Sequence, residues 1–190
     1  MKHVLMAVRL LLVMMILTGI IYPLVITGIV QVLFPHQANG SMMMVDGTIK
    51  GSELVGQKFI SERYFWSRPS AIDYNPLPSG ATNLGPTSAA LQEAVQQRRA
   101  HIDSTYVLPS DTKLPIEMLF ASASGIDPHI SPEAARLQID RIARARNLTS
   151  EQKAKLIELV ESHIELPQWR IFGEPRVNVF LMNLAIDQLH

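Results

Sequence analysis

Residues 10–34, LLLVMMILTGIIYPLVITGIVQVLF, run for 25 positions without one charged side chain. As an α-helix this stretch rises roughly 37 Å, more than the roughly 30 Å hydrocarbon core of a bilayer requires. Sixteen of the 25 are Leu, Ile, Val or Phe. At a few tenths of a kcal/mol each, they favour insertion by roughly 6 kcal/mol before polar and proline terms are deducted. Cleaved leaders carry shorter apolar regions, about 7–15 residues, ending in small residues. Nothing of that kind follows Phe34, so the sequence predicts a retained transmembrane helix over 10–34.

Lys2 and Arg9 precede this span, while positions 35–49 contain no Lys or Arg. The bias of basic residues toward the cytoplasmic side predicts a cytoplasmic N-terminus over 1–9 and an extracytoplasmic domain over 35–190. Within the span, Gly19, Pro23 and Thr27 recur at i, i+4 and i+8. Small residues at that spacing let two helix backbones approach closely in lipid, which predicts a partner-helix face. The bland alternative is that Gly and Pro are simply common in membrane helices. The span holds no Asp, Glu, Lys, Arg or His, so by itself it is neither a pore nor a proton relay.

The remainder reads as one α+β domain. In SMMMVDGTIKG, apolar residues flank Asp46-Gly47, a dipeptide suited to a tight hairpin turn. GQKFISERYFWSRPSAIDYNPLPSGATNLGPTS, rich in aromatics, Pro and Gly, predicts a long structured loop with short strands. A helix follows from Ser88, with Leu91, Ala94, Val95 and Ile102 on its apolar stripe. A second opens on Ser131-Pro132-Glu133, buries Ala135, Ile139, Ile142 and Ala143, and carries Arg136, Asp140 and Arg144 as a charge ladder. Asn147 suits its left-handed end. A third begins at Thr149 with Gln152 as capping box, pairs Glu151 with Lys155, and buries Leu156, Ile157, Val160 and Ile164. IEMLFASASG and WRIFG read as strands, and VNVFLMNLAIDQLH as a strand entering a core helix.

Composition excludes several functions. Formal charge is zero, so no long-range field gathers nucleic acid. There is no cysteine, hence no thiolate metal site and no cysteine nucleophile. ASASGIDPHISP gathers Ser122, Ser124, Asp127 and His129, the ingredients of acyl transfer. Yet Ser124 lacks the G-x-S-x-G frame, and triad members normally come from distant segments. Gly125 as a turn, Asp127 as a backbone cap and Pro128 as a φ lock account for the same residues. Asp127 and His129, with His101, His163 and His190 far along the chain, make no dense metal-ligand cluster. SGATNLGPTS (79–88) is glycine-bearing but matches no phosphate-loop pattern. Both loops read best as rigid polar contact surfaces, with Ser79, Gly80, Asn83 and Gly85 on one and Ser122, Ser124, Gly125, Asp127 and His129 on the other.

Several blocks carry a family signature in combination: TGIIYPLVITGI, QVLFPHQANGS, GQKFISERYFWSRPSAIDYNPLPSGATNLGPTS, ASASGIDPHISPEAARLQIDRIARARNL and GEPRVNVFLMNLAIDQL. In this order and spacing they resemble the C subunit of the Kdp-type potassium-transporting ATPases over essentially the whole chain. One departure is Ala81 in SGATNL, where the family pattern SGGSNL has a second glycine. The resemblance implies a bacterial inner-membrane complex for ATP-driven K⁺ uptake. Its partners there are a channel-like K⁺-translocating subunit, a P-type ATPase subunit and a small membrane peptide subunit. It implies a non-catalytic assembly factor that raises the ATPase subunit's affinity for ATP, with ATP acting at the level of the complex and no cofactor of its own. An extracytoplasmic domain cannot touch cytoplasmic nucleotide, so such an effect must cross the membrane as a coupling between conformations. The alternative is a membrane-anchored extracytoplasmic hydrolase using Ser124 and His129.

Overall fold

The computed structural model describes residues 1–106, 108–109 and 112–189. They divide into two compact units, Met1–Ser52 and Glu53–His190.

The first unit is dominated by helix α1, Lys2–Leu33, 32 residues long, whose 18-residue apolar window has a mean hydropathy of 2.6 and is not buried. The apolar run thus forms a helix long and apolar enough to cross a membrane, extended at its N-terminus beyond the predicted Leu10. It contains one π-helical turn, Leu17–Ile21, immediately before Pro23. Proline has no N–H to donate, and its ring crowds the carbonyl four residues earlier, here that of Gly19. A wider turn relieves that crowding without breaking the rod. After Leu33 a single helical turn, Pro35–Ala38, leads to strands β1 (Met42–Val45) and β2 (Thr48–Ser52), paired antiparallel. Asp46 and Gly47 join them at φ +50° and +72°, the left-handed pair that the hairpin turn demands. Met42 and Met44 lie on the exposed face, Met43 and Val45 on the half-buried one, as strand alternation requires.

The second unit has helices α2 (Ala89–Thr105), α3 (Pro132–Ala145), α4 (Ser150–Ser162) and α5 (Val179–Asp187). Strands β3 (His129–Ile130), β4 (Ile164–Glu165) and β5 (Arg176–Asn178) form an antiparallel sheet in the order β3-β5-β4. The unit is therefore α+β, as expected. Ile139, Ile142, Leu156, Val160, Val177, Met182 and Ile186 make one core around Phe65. A smaller cluster gathers Ile102, Tyr106 and Leu119. The helix starts follow the local chemistry of the sequence. Ser88, Ser131 and Thr149 each accept a hydrogen bond from a first-turn N–H, and Thr149 with Gln152 forms the full capping box. Asn147, at φ +54°, ends α3.

Several expected details are corrected. IEMLFASASG holds a short 3₁₀ turn, Ile116–Met118, then an irregular loop, and WRIFG is a tight turn; neither is a strand. The predicted charge ladder on α3 is not formed. Arg136 pairs instead with Glu161 at 2.6 Å and Asp140 with Lys153 at 2.7 Å, because α4 packs alongside and offers opposite charges. Ile157 is 43% exposed, on the outer side of α4.

The segment expected to form short strands, 56–88, contains none. Side chains take the place of the missing strand partner. Asn183 pairs both ways with the Phe65 backbone at 2.8 and 2.9 Å, and Gln138 does the same with Trp66 at 2.7 and 3.1 Å. Arg141, 2% exposed, donates to the carbonyls of Glu62 and Tyr64. Its guanidinium also stacks 4.0 Å over the Trp66 ring. Buried backbone groups must find partners, and here three side chains from α3 and α5 supply them.

Candidate contact site

Loop 121–129 is tied into the domain by its own short side chains and by backbone from far upstream. The buried Ser122 hydroxyl accepts from Gly125 N–H at 3.0 Å, Ser124 Oγ from Ile126 N–H at 3.2 Å, and Asp127 Oδ1 from His129 N–H at 3.0 Å. Upstream, Pro69 accepts from Ser122 N–H, Ser70 Oγ donates to the Gly125 carbonyl at 2.6 Å, and Gly56 N–H donates to the Ile126 carbonyl at 2.8 Å. Val179 N–H reaches the Pro128 carbonyl at 2.9 Å. Gly125 sits at φ +73°, and a β-carbon there would lie 2.4 Å from Ile72 Cγ1. Only glycine meets both conditions.

The structure joins the two loops that the sequence singled out. Gly80 N–H donates to the Ser124 carbonyl at 3.3 Å. Ser79, Asn83 and Gly85 on the first loop and Ser124 on the second are exposed, while Ser122 and Gly125 are buried supports. Of the nine, Asn83 alone is a non-glycine at positive φ, +52°. Tyr74 braces the upstream segment through its hydroxyl, which donates to the Arg68 carbonyl. Burial pushes that hydroxyl up to about 12, so it remains a donor throughout the physiological range.

Asp127 is the electrostatic centre. Burial alone raises its pKa. The His129 imidazole and backbone N–H, together with the Arg68 guanidinium 2.9 Å away, outweigh that and hold the carboxyl below its ordinary value. Its ring partner, His129 Nδ1, lies 3.7 Å from Oδ1. Arg68, Asp127 and His129 line one part of a groove of about 630 Å³, and Leu166, Phe172 and Arg176 another. The predicted ingredients of acyl transfer therefore have other employment. Ser124 Oγ is engaged with Ile126 N–H, Ser122 Oγ with Gly125 N–H, and Asp127 with Arg68. No group of three or more His, Asp or Glu suited to a metal occurs among the described residues, and His190 lies outside them.

In α1, Gly19, Pro23 and Thr27 are all exposed, and a β-carbon at Gly19 would meet nothing within 4 Å. Positions four apart drift around an α-helix by roughly 40°. The wider turn at Leu17–Ile21 takes back part of that drift, bringing the three nearer to one line. Thr18 satisfies its own hydroxyl on the Met14 carbonyl at 2.7 Å.

Residues 4–188 match the family model described as the c chain of the K⁺-transporting ATPase. This chain belongs to the KdpC family. It is 46% identical over 188 residues to a potassium-transporting ATPase KdpC subunit of Dechloromonas aromatica, covering 96% of this chain and 95% of that one. The corresponding KdpC subunit of Shewanella putrefaciens is 42% identical over 188 residues, covering 99% and 92%. That of Nitratidesulfovibrio vulgaris is 48% identical over 173 residues, covering 88% and 85%. The KdpC match thus runs through both compact units.

Sequence reasoning missed the residues that hold this candidate site in place. Gly56, Arg68, Ser70 and Ile72 lie more than 50 positions before the loop residues they touch.

Proposed function

We propose that this KdpC chain is a single-span, non-catalytic subunit of an ATP-driven potassium uptake complex in a bacterial inner membrane. The N-terminus is cytoplasmic, residues 10–34 span the bilayer and 35–190 form the outer domain. The supporting observation is the family match over residues 4–188, which takes in the apolar helix and the domain together. Loops 79–86 and 122–129, joined through Gly80 and Ser124, dock on the channel-like K⁺-translocating subunit. The Gly19–Pro23–Thr27 face packs against a helix of the P-type ATPase subunit, the channel-like subunit or the small membrane peptide. An effect on ATP affinity then reaches the nucleotide as a coupling free energy, typically about 1–3 kcal/mol, between conformations of the assembled complex.

Charge placed on the joined loops tests this reading. Ser79→Arg with Ser124→Arg adds two guanidinium groups at exposed positions. Recovery of the large membrane subunits with the tagged chain is expected to fall about tenfold, roughly 1.4 kcal/mol of lost association. Ser124→Ala should leave recovery and K⁺-limited growth unchanged, since a contact surface survives loss of one hydroxyl. Full recovery of the doubly charged variant, or loss of function in Ser124→Ala, contradicts the proposal.

A further inference from the structure

The turn between β4 and β5 is a preformed apolar finger. Leu166, Trp169, Ile171 and Phe172 are 61%, 76%, 76% and 61% exposed, four large apolar side chains within seven residues. None belongs to either core cluster. The backbone is fixed all the same. Gln168 and Phe172 exchange two hydrogen bonds at 2.9 and 3.0 Å, and Arg170 N–H reaches the Pro167 carbonyl at 2.8 Å. Trp169 and Arg170 both sit at positive φ, +53° and +62°. The Trp169 and Phe172 rings meet edge to face, 6.0 Å apart. At the base, Arg176 Nε donates to Glu165 at 2.9 Å. Two successive non-glycine residues in the left-handed region are strained, and such strain collects where function holds a shape. Here it holds apolar groups out into water.

We propose that this finger rests in the headgroup layer of the bilayer, with Trp169, Ile171 and Phe172 as its buried tip. Three observations favour lipid over a protein pocket as the occupant. The apolar groups are exposed on a tight turn, Trp169 and Ile171 most of all, and fluid lipid accepts such groups with no complementary cavity. The tip combines tryptophan with an adjacent arginine, side chains whose amphipathic character suits the membrane interface. Finally, the chain carries its own apolar helix, α1, so a second membrane contact is intramolecular and needs little intrinsic affinity. Glu165, Glu174, Arg170 and Arg176 around the finger sum to zero charge, so uncharged or zwitterionic lipid suffices. The inference goes beyond the docking role proposed for loops 79–86 and 122–129. It requires only that α1 lies in a bilayer.

The sequence has two tryptophans, and they report opposite environments. Trp66 is half-buried against Arg141 and His101, whereas Trp169 is at the tip. The full chain is reconstituted in phosphatidylcholine vesicles with plain or brominated acyl chains. Emission from Trp169 is read as wild type minus Trp169→Phe, which leaves Trp66 untouched. Brominated lipid is expected to quench the Trp169 component about twofold or more, with little effect on the component that remains in Trp169→Phe. A Trp169 component insensitive to brominated lipid overturns the proposal, whether aqueous iodide then quenches it, as on a free surface, or leaves it shielded, as in a protein contact.

Discussion

Arg141→Met is expected to lower the stability of the second unit by about 3 kcal/mol, the combined effect of one buried and two partly buried acceptors left without their donor, at roughly 1–3 kcal/mol for a fully buried one. The guanidinium serves the carbonyls of Glu62 and Tyr64 and the Gln138 side chain, and stacks on Trp66. Among the described residues no carboxylate pairs with it as a salt bridge, and its contacts are with the neutral acceptors just named. Burial accordingly pulls its pKa down, with the Tyr106 side chain opposing that shift. Removing the charge also removes its desolvation cost, which is why the expected loss is not larger. Arg141→Lys should recover only part, since one ammonium cannot reproduce the planar fork that reaches three acceptors at once. Urea unfolding of the detergent-solubilised chain, followed through Trp66 fluorescence, reads the effect. A shift below about 1 kcal/mol would mean that segment 62–66 is held mainly by something other than these side chains.

Gly56→Ala is the second large effect, and its origin is purely steric. A β-carbon at position 56 would stand 2.5 Å from the Asp127 carbonyl oxygen and 2.9 Å from its carbon. Both are backbone atoms, so no rotamer change relieves the clash. Either the 126–127 peptide moves, losing the Gly56–Ile126 hydrogen bond and the Arg68–Asp127 pair, or Gly56 withdraws from the domain. Overpacking of this kind costs about 2–3 kcal/mol. Gly85→Ala is the matched control. Nothing lies within 4 Å of its β-carbon position, so a change below about 0.5 kcal/mol is expected. Thermal unfolding of the two variants side by side separates the outcomes, and equal midpoints would refute the close packing of Gly56 on loop 121–129.

What the sequence made legible was local. The apolar run, Asp46-Gly47, Ser131-Pro132, Thr149 with Gln152, and Asn147 each specify structure through neighbours a few positions away. What stayed hidden was carried by distant pairings. No rule of periodicity links Gln138 to Trp66 across 72 positions or Asn183 to Phe65 across 118, so the coil at 62–66 gave no sign of the amides that hold it. The same limit produced the false ladder on α3, since Arg136 found its acid 25 positions on. WRIFG carries strand-type residues, yet the left-handed backbone at Trp169 and Arg170 bends it into a turn. The candidate loops were legible as chemistry, and their meeting through Gly80 and Ser124 was not.

The most direct test of the account is the side of the membrane on which the second unit lies. Alkaline phosphatase and green fluorescent protein are fused in turn after His190. The account predicts an active phosphatase and a dark fluorescent fusion, as Lys2 and Arg9 before the apolar run 10–34 and the absence of basic residues from 35–49 require. A bright fluorescent fusion with inactive phosphatase would place the domain in the cytosol and contradict an outer docking surface.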